Sequence, residues 1–281
     1  MSTLQAIVLG LVQGLTEFLP ISSSGHLILV PWLFNWTFLL DNPDLNKTFD
    51  VALHLGTFLG VVAYFWRDIG RYLGAWLRSL GRRRVETPEE RIAWYLVVGT
   101  VPGIVLGVLA EDLVTDRLGD PWLIALMLAV FGVVLYLVDR WARRTRELPD
   151  LRLRDAILIG TAQAIALSPG VSRSGVTITA ARAVGLNREA ATRFSFLLSL
   201  PIIAGAMAYR GVGLLSEGLP AGLAGPFAWG IAASAVSGFA AIWGLLAYLR
   251  RRDFLPFVLY RLLAAVVVLG LIAAGVRSAS I

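Results

Sequence analysis

Leu19-Pro20-Ile21-Ser22-Ser23-Ser24-Gly25-His26 and Ser168-Pro169-Gly170-Val171-Ser172-Arg173-Ser174-Gly175 each interrupt an otherwise apolar region, at about residues 4–40 and 155–185. Proline and glycine end a helix, and a serine after such a break can cap the next one. Irregular backbone at membrane depth survives only when it is buried in protein or lines a wet cavity. Each region is therefore expected to form a re-entrant pair of half-length helices meeting at a polar break.

Outward from the breaks, apolar runs of spanning or near-spanning length fall at roughly 49–66, 92–110, 121–139, 194–209, 227–249 and 255–276, against the ~20 residues a helix needs to cross. The chain is 57% hydrophobic and 16% charged, far from the ~45–50% and ~25% of soluble domains, with a mean hydropathy of +0.72. Disorder, a coiled coil and an ordinary cytosolic enzyme are excluded. The absence of cysteine removes a disulfide scaffold, a Cys-based metal site and a thiol nucleophile. The N-terminus does not read as a removable signal peptide, because Met1-Ser2-Thr3 carries no basic side chain and Gln13, Thr16 and Glu17 interrupt the apolar stretch after it. The expected fold class is an all-α polytopic membrane protein: six transmembrane helices plus two re-entrant helix pairs in a single domain, residues 1–281.

The net charge of +6 rests almost wholly on arginine, Lys47 being the only lysine. The arginines cluster between apolar runs (Arg67 to Arg91, Arg140 to Arg154, Arg250 to Arg252), whereas Glu111 to Asp120 and Ser216 to Gly225 are poor in them. This pattern is topological and argues against nucleic-acid binding; the positive-inside rule puts the clusters in the cytoplasm and both termini outside. The halves also match. Ile7 to Gly10, Gln13, Ser22, Ser24 and Gly25 meet Ile157 to Gly160, Gln163, Ser172, Ser174 and Gly175 at a gapless offset of 150. Further on, Phe49, Leu53, Gly60 and Tyr64 pair with Phe194, Leu198, Gly205 and Tyr209, and Trp94, Gly103 and Pro121 with Trp229, Gly238 and Pro256. One re-entrant pair and three spans per half make residues 150–281 an inverted copy of 1–145, with the two breaks facing each other.

A carboxylate in an apolar segment costs about 2.5–3.5 kcal/mol on insertion scales and defaults to function. Glu17 is such a group, with Gln13 on the same helix face; the alternatives are a structural Glu17 and a merely hydrogen-bonding Gln13. Ser22, Ser23 and Ser24 precede Gly25 and His26, and at least one of them is expected to cap the helix beyond. Ser23 and His26, three residues apart, should share a face and bring a hydroxyl to an imidazole. His54, in a more regular span, reads equally well as core or functional. In the second break Arg173 needs an anion or a carboxylate, and either a phosphate or Glu17 would serve. Ser172, Ser174, Gly175 and Thr177 complete a phosphate cradle at converging helix N-termini. Arg193 and Arg261 read as snorkelling or topological residues. With two histidines and no cysteine a zinc site is improbable. Mg²⁺ or Ca²⁺ on Glu17 and substrate phosphate would suit, and phosphoryl transfer on a lipid-linked substrate is the chemistry this set serves best.

Residues Gln13 to His26 resemble the first signature of the bacitracin-resistance type undecaprenyl-diphosphate phosphatases, and Pro169 to Thr177 resemble the second. The resemblance covers essentially the whole chain, including Phe49-Asp50-Val51. It implies removal of the terminal phosphate of undecaprenyl diphosphate, which recycles the carrier lipid for cell-wall synthesis and confers bacitracin resistance. It also implies a divalent cation, Mg²⁺ or Ca²⁺, and a site facing the outer side of the bacterial cytoplasmic membrane. By position, Glu17 matches the family's essential glutamate, His26 its essential histidine, Arg173 its phosphate-binding arginine and Ser23 its proposed nucleophile. Gln13, Ser22, Ser24, Gly25, Ser172, Ser174, Gly175 and Thr177 are the expected substrate-binding residues, with Glu17 as the expected metal ligand and Gln13 a candidate second one. Gln13 stands where many members carry Glu, and His54 where an uncharged polar residue is expected. The expected partners are a polyprenyl diphosphate lipid, the bilayer and, for a homodimer, a second copy of the chain. The rival reading is a transporter or flippase for a phosphorylated lipid or anion, which would need no nucleophile. An ion channel or scaffold fits the reactive cluster less well.

Overall fold

The computed structural model describes residues 1–109, 119–217 and 222–280, so most of the acidic stretch after Glu111 and part of the loop after Ser216 lie outside the described residues. Its helices are α1 (Thr3–Phe18), α2 (Ser23–Phe34), α3 (Thr37–Leu40), α4 (Pro43–Arg82), α5 (Pro88–Leu109), α6 (Pro121–Trp141), α7 (Leu153–Ile165), α8 (Arg173–Ala183), α9 (Arg188–Glu217), α10 (Ala224–Leu249) and α11 (Leu255–Ala273), with a 3₁₀ turn at Leu148–Asp150. No strand occurs among the described residues. Residues 43–82, 121–141, 188–208, 224–249 and 255–273 are long and apolar enough to cross a bilayer. The remaining expected run falls on α5. The outward faces of these helices are apolar, with Val236, Trp243, Leu263 and Val266 all exposed, as lipid contact requires. This is a multi-pass membrane protein.

At 1.5 Å per residue, α1 and α2 reach about 24 and 18 Å, short of a ~30 Å hydrocarbon core. Both expected breaks are present, between α1 and α2 and between α7 and α8. They share an unusual backbone: Ser22 (φ 76°, ψ 96°) and Ser172 (φ 77°, ψ 114°) are N-caps in the positive-φ region. Non-glycine residues rarely occupy that region, and they persist there only when the surroundings over-determine them.

One expected boundary fails. The run at 49–66 does not give way to an arginine-rich loop, because α4 continues to Arg82 through a bend at Phe65 (φ −98°, ψ 17°). Past the bend Ile69, Tyr72, Leu73, Trp76 and Leu80 sustain an apolar stripe, while Arg67, Arg71, Arg78 and Arg82 take the other face. Helical period outlasts mean hydropathy here.

Two more expectations need correcting. Arg261 does not snorkel. It is fully buried, and its guanidinium donates to the carbonyls of Leu128 (2.9 Å), Pro20 (3.1 Å), Met127 (3.2 Å), Gly170 (2.8 Å) and Val171 (3.1 and 3.2 Å). Arg193 pairs with Asp68 at 2.8 Å and lies over the Phe65 ring, tying α9 to the bend in α4. At the arginine-rich end, Asp139 accepts from buried Arg182 (2.9 Å) and from Arg188 (2.6 Å), which locks α8 to α6 and α9.

Small residues let the broken helices approach their neighbours backbone to backbone. A Cβ on Gly14 of α1 would sit 2.7 Å from Gly238 N on α10, and one on Gly160 of α7 would collide with the Gly99 backbone on α5. Phe18, next to Glu17, packs edge-to-face on Phe196 at 5.2 Å and joins a core cluster that includes Phe65, Leu135 and Ile178.

Replacing Arg261 by Met strands the carbonyls of both breaks. It is expected to destabilise the protein by about 3–5 kcal/mol, a clear fall in Tm in detergent, whereas Met at exposed Arg84 leaves Tm within a degree or two. An unchanged Tm for Arg261→Met would contradict the clamp.

Candidate active site

The last turn of α1 presents Glu17, its side chain only 4% exposed, to four groups. Its Oε1 is ion-paired with Arg173 Nη2. Its Oε2 accepts from Ser23 Oγ at 2.6 Å and from Gln13 Nε2 at 3.1 Å, and lies 3.6 Å from His54 Nε2. The Gln13 contact follows from helix period, four residues apart on one face. The Ser23 contact follows from the break, which turns the chain so that the first residue of α2 points back at the end of α1. Arg173 arrives from the N-terminus of α8, across the molecule. A buried carboxylate is tolerable because a guanidinium, a hydroxyl and an amide compensate it.

These groups line a cavity of about 170 Å³ bounded by Glu17, Ser23, Ser24, His54, Gln163 and Arg173, with Ser172, Gly103, Leu167 and Ile202 among its walls. His54 and Arg173 also border a second space of about 310 Å³ that reaches Lys47, Asp50 and Met207. His54 Nδ1–H donates to the Asp50 carbonyl at 2.7 Å, leaving Nε2 towards Glu17.

The expected Ser23–His26 contact does not form. His26 Nδ1–H donates to the Ser22 carbonyl at 2.7 Å, and Nε2 accepts from Tyr260 OH at 2.7 Å, with the two rings stacked at 5.6 Å. Sharing a helix face puts the two residues on neighbouring turns without aiming their side chains at each other. Glu17 takes the place at Ser23 that the sequence suggests for His26.

Several expected phosphate-binding groups are committed to the framework. Ser22 Oγ accepts from Gly25 N (3.4 Å) and Gly170 N (3.0 Å), so one hydroxyl bonds both breaks. Ser172 Oγ accepts from Gly175 N at 3.1 Å. Ser174 Oγ donates to the Leu19 carbonyl at 3.1 Å, again across the breaks. Thr177 Oγ1 donates to the Arg173 carbonyl at 2.7 Å and contacts Ser195 Oγ at 2.6 Å. The Gly25 and Gly175 N–H groups are thereby satisfied by serine hydroxyls. Of the expected site residues, the cavity wall gathers Glu17, Ser23, Ser24, Ser172 and Arg173; Gln13 stands behind Glu17.

Sequence reasoning misses Tyr260 and Gln163 as functional candidates and leaves His54 evenly balanced. Tyr260 gives no local signal, being 234 residues from His26. Gln163 does carry one, its match to Gln13.

The Glu17–Arg173 pair is testable apart from any chemistry. Arg173→Met leaves a buried carboxylate short of its main partner and should cost about 3 kcal/mol, while adding Glu17→Gln should restore part of the loss, with a coupling of about 1–3 kcal/mol. Additive losses of Tm in detergent would mean that the pair carries no stability.

The family model described as bacitracin resistance protein BacA matches residues 6–267. A protein of Moorella thermoacetica named undecaprenyl-diphosphatase is 51% identical over 271 residues, covering 95% of this chain and 97% of the relative. Proteins of the same name from Desulforudis audaxviator (96% and 97% covered) and Pelotomaculum thermopropionicum (98% of each) are 48% identical. With a cavity of glutamate, serine and arginine built from both signatures, and the match running nearly end to end, the chain belongs to the BacA family of bacitracin-resistance proteins.

Proposed function

We propose that this protein hydrolyses undecaprenyl diphosphate to undecaprenyl phosphate and inorganic phosphate, returning the carrier lipid to cell-wall synthesis. The observation that carries the reading is the convergence of Glu17, Ser23 and Arg173 on one cavity. With the relatives' shared name, it supports Glu17 as the acid–base group, Ser23 as the nucleophile and Arg173 as the phosphate anchor.

Arg173 is paired with Glu17. An incoming diphosphate offers the guanidinium a better bidentate partner, and its departure frees Glu17 for chemistry. Ser23 Oγ attacks the terminal phosphorus in line. Its proton passes to Glu17 Oε2, already 2.6 Å away, and the bridging P–O bond breaks to release undecaprenyl phosphate. Glu17 passes that proton to the departing undecaprenyl phosphate and, again a carboxylate, deprotonates the water that cleaves the phosphoserine, the proton going to Ser23 Oγ as its bond to phosphorus breaks and inorganic phosphate leaves. Arg173 stabilises the transferring oxygens throughout. His26 acts as a positioning residue, steadying the Ser22 carbonyl next to Ser23 from its own anchorage on Tyr260.

A divalent cation fits the donor set. Glu17 lies beside Gln13, whose Oε1 is buried and without a partner. These are hard oxygen donors, and Mg²⁺ or Ca²⁺ can complete its shell from substrate phosphates. Among the described residues no cluster of three His, Asp or Glu side chains forms an all-protein cage. When bound, the ion would offset phosphate charge.

Architecture belongs to the same reading: six spans and two re-entrant pairs, residues 1–145 and 150–281 being inverted copies. The matching backbone and caps at Ser22 and Ser172 support it. So does the reciprocal packing of α1 on α10 and α7 on α5. The larger space reaches Lys47 and Asp50 near the start of α4, the end remote from the arginine clusters. This favours a site opening to the outer side of the cytoplasmic membrane.

Purified protein should release phosphate from undecaprenyl diphosphate with Mg²⁺ or Ca²⁺ and stop with chelator. Ser23→Ala and Arg173→Ala should each lose about 10³-fold in kcat/KM. A folded wild type without turnover, under conditions in which a relative works, would overturn the reading and return the architecture to the transporter alternative.

A further inference from the structure

Gln13 and Gln163 occupy equivalent places 150 residues apart, each on the first arm of a broken helix pair. Their side chains have different employment. Gln13 Nε2 donates to Glu17, four residues on. Four residues after Gln163 stands Leu167, which offers no acceptor. Gln163 Nε2 is therefore left with no partner although the residue is only 5% exposed. A buried, unpaired donor is disfavoured and rare in folded proteins. This one lies in the wall of the same cavity as Arg173, Ser23 and Glu17. At about 170 Å³ the cavity is too small for a long lipid tail, and the Arg173 guanidinium and seryl hydroxyls in its wall suit an anion.

We propose that Gln163 is a phosphate-binding residue, its amide N–H donating to a non-bridging oxygen of the phosphoryl group that Arg173 holds. This rests on the phosphatase reading for the identity of the substrate, but not for the binding of a phosphate ion. The second half of the chain then supplies the anion-binding groups, Arg173 and Gln163, and the first half the reacting ones, Glu17 and Ser23. Leu167 gains a meaning as well. An acidic residue there would both occupy the amide and repel the anion, so its apolar side chain leaves the amide free for substrate.

The test uses the full-length protein in detergent, with Gln163→Met (similar shape, no amide), Gln163→Glu (same shape, acidic) and Thr161→Ala, on the exposed face of α7, as control. Three quantities are read: Tm without ligand, the concentration of inorganic phosphate that raises Tm half-maximally, and kcat and KM for the diphosphate. Gln163→Met should match or exceed the wild-type Tm without ligand, since no internal hydrogen bond is lost. It should also need about 10-fold more phosphate, and kcat/KM should fall about 10- to 100-fold. Gln163→Glu should be worse than Met on both counts, and Thr161→Ala should match the wild type. A lower Tm for Gln163→Met with phosphate affinity and kcat/KM unchanged would overturn the proposal and make Gln163 structural. Wild-type protein that neither binds phosphate nor turns over the diphosphate would also overturn it. Phosphate binding that depends on Gln163 without turnover would uphold this inference while sinking the phosphatase reading. Turnover that ignores Gln163 would do the reverse.

Discussion

The structure depends on one buried cation. Each broken helix pair leaves backbone carbonyls that a helix would have satisfied, in a part of the molecule where water and lipid cannot both be neighbours. Arg261 answers both breaks at once, with one guanidinium donating to Pro20 of the first and to Gly170 and Val171 of the second, and to Met127 and Leu128 of the helix between. A buried charge is costly unless surrounded by oriented dipoles, and here the carbonyls that need a donor are those dipoles. The guanidinium satisfies the carbonyls of both breaks, and those carbonyls offset the cost of burying it. Ser22 and Ser174 add direct hydrogen bonds across the junction.

The proposed catalytic arrangement follows from that junction. Face-to-face breaks bring the end of α1 and the start of α8 together, and therefore a carboxylate and a guanidinium 156 residues apart in sequence. They neutralise each other, so both charges are buried without being stranded. In the proposed mechanism substrate converts this pair into two working groups, because a diphosphate competes with Glu17 for Arg173. The arrangement couples stability to function: whatever weakens the pair loosens the junction as well.

Much of this is legible in the chain, for identifiable reasons. The two breaks and the half-length helices around them are local properties of Pro, Gly and Ser, and both breaks are present. Glu17 and Arg173 stand out because ionisable groups in apolar segments demand a partner. What fails is long-range or rotational. Helix period places Ser23 and His26 on one face, but the positive-φ caps aim Ser23 back at Glu17 and leave His26 to Tyr260. Arg261 looks like a snorkelling residue because nothing within its own helix reveals the carbonyls that converge on it from three other segments. The length of α4 is hidden because hydropathy falls after Trp66 while the amphipathic period continues to Arg82.

The central claim is that phosphate takes Arg173 from Glu17 in a cavity shared by both halves. The most direct measurement is an experimental structure of the full-length protein soaked with inorganic phosphate or vanadate. The account predicts an anion within hydrogen-bond distance of Arg173, facing Ser23 Oγ, with the Glu17–Arg173 contact opened. An anion bound elsewhere, with Glu17 and Arg173 still paired and Ser23 facing an empty cavity, would contradict it.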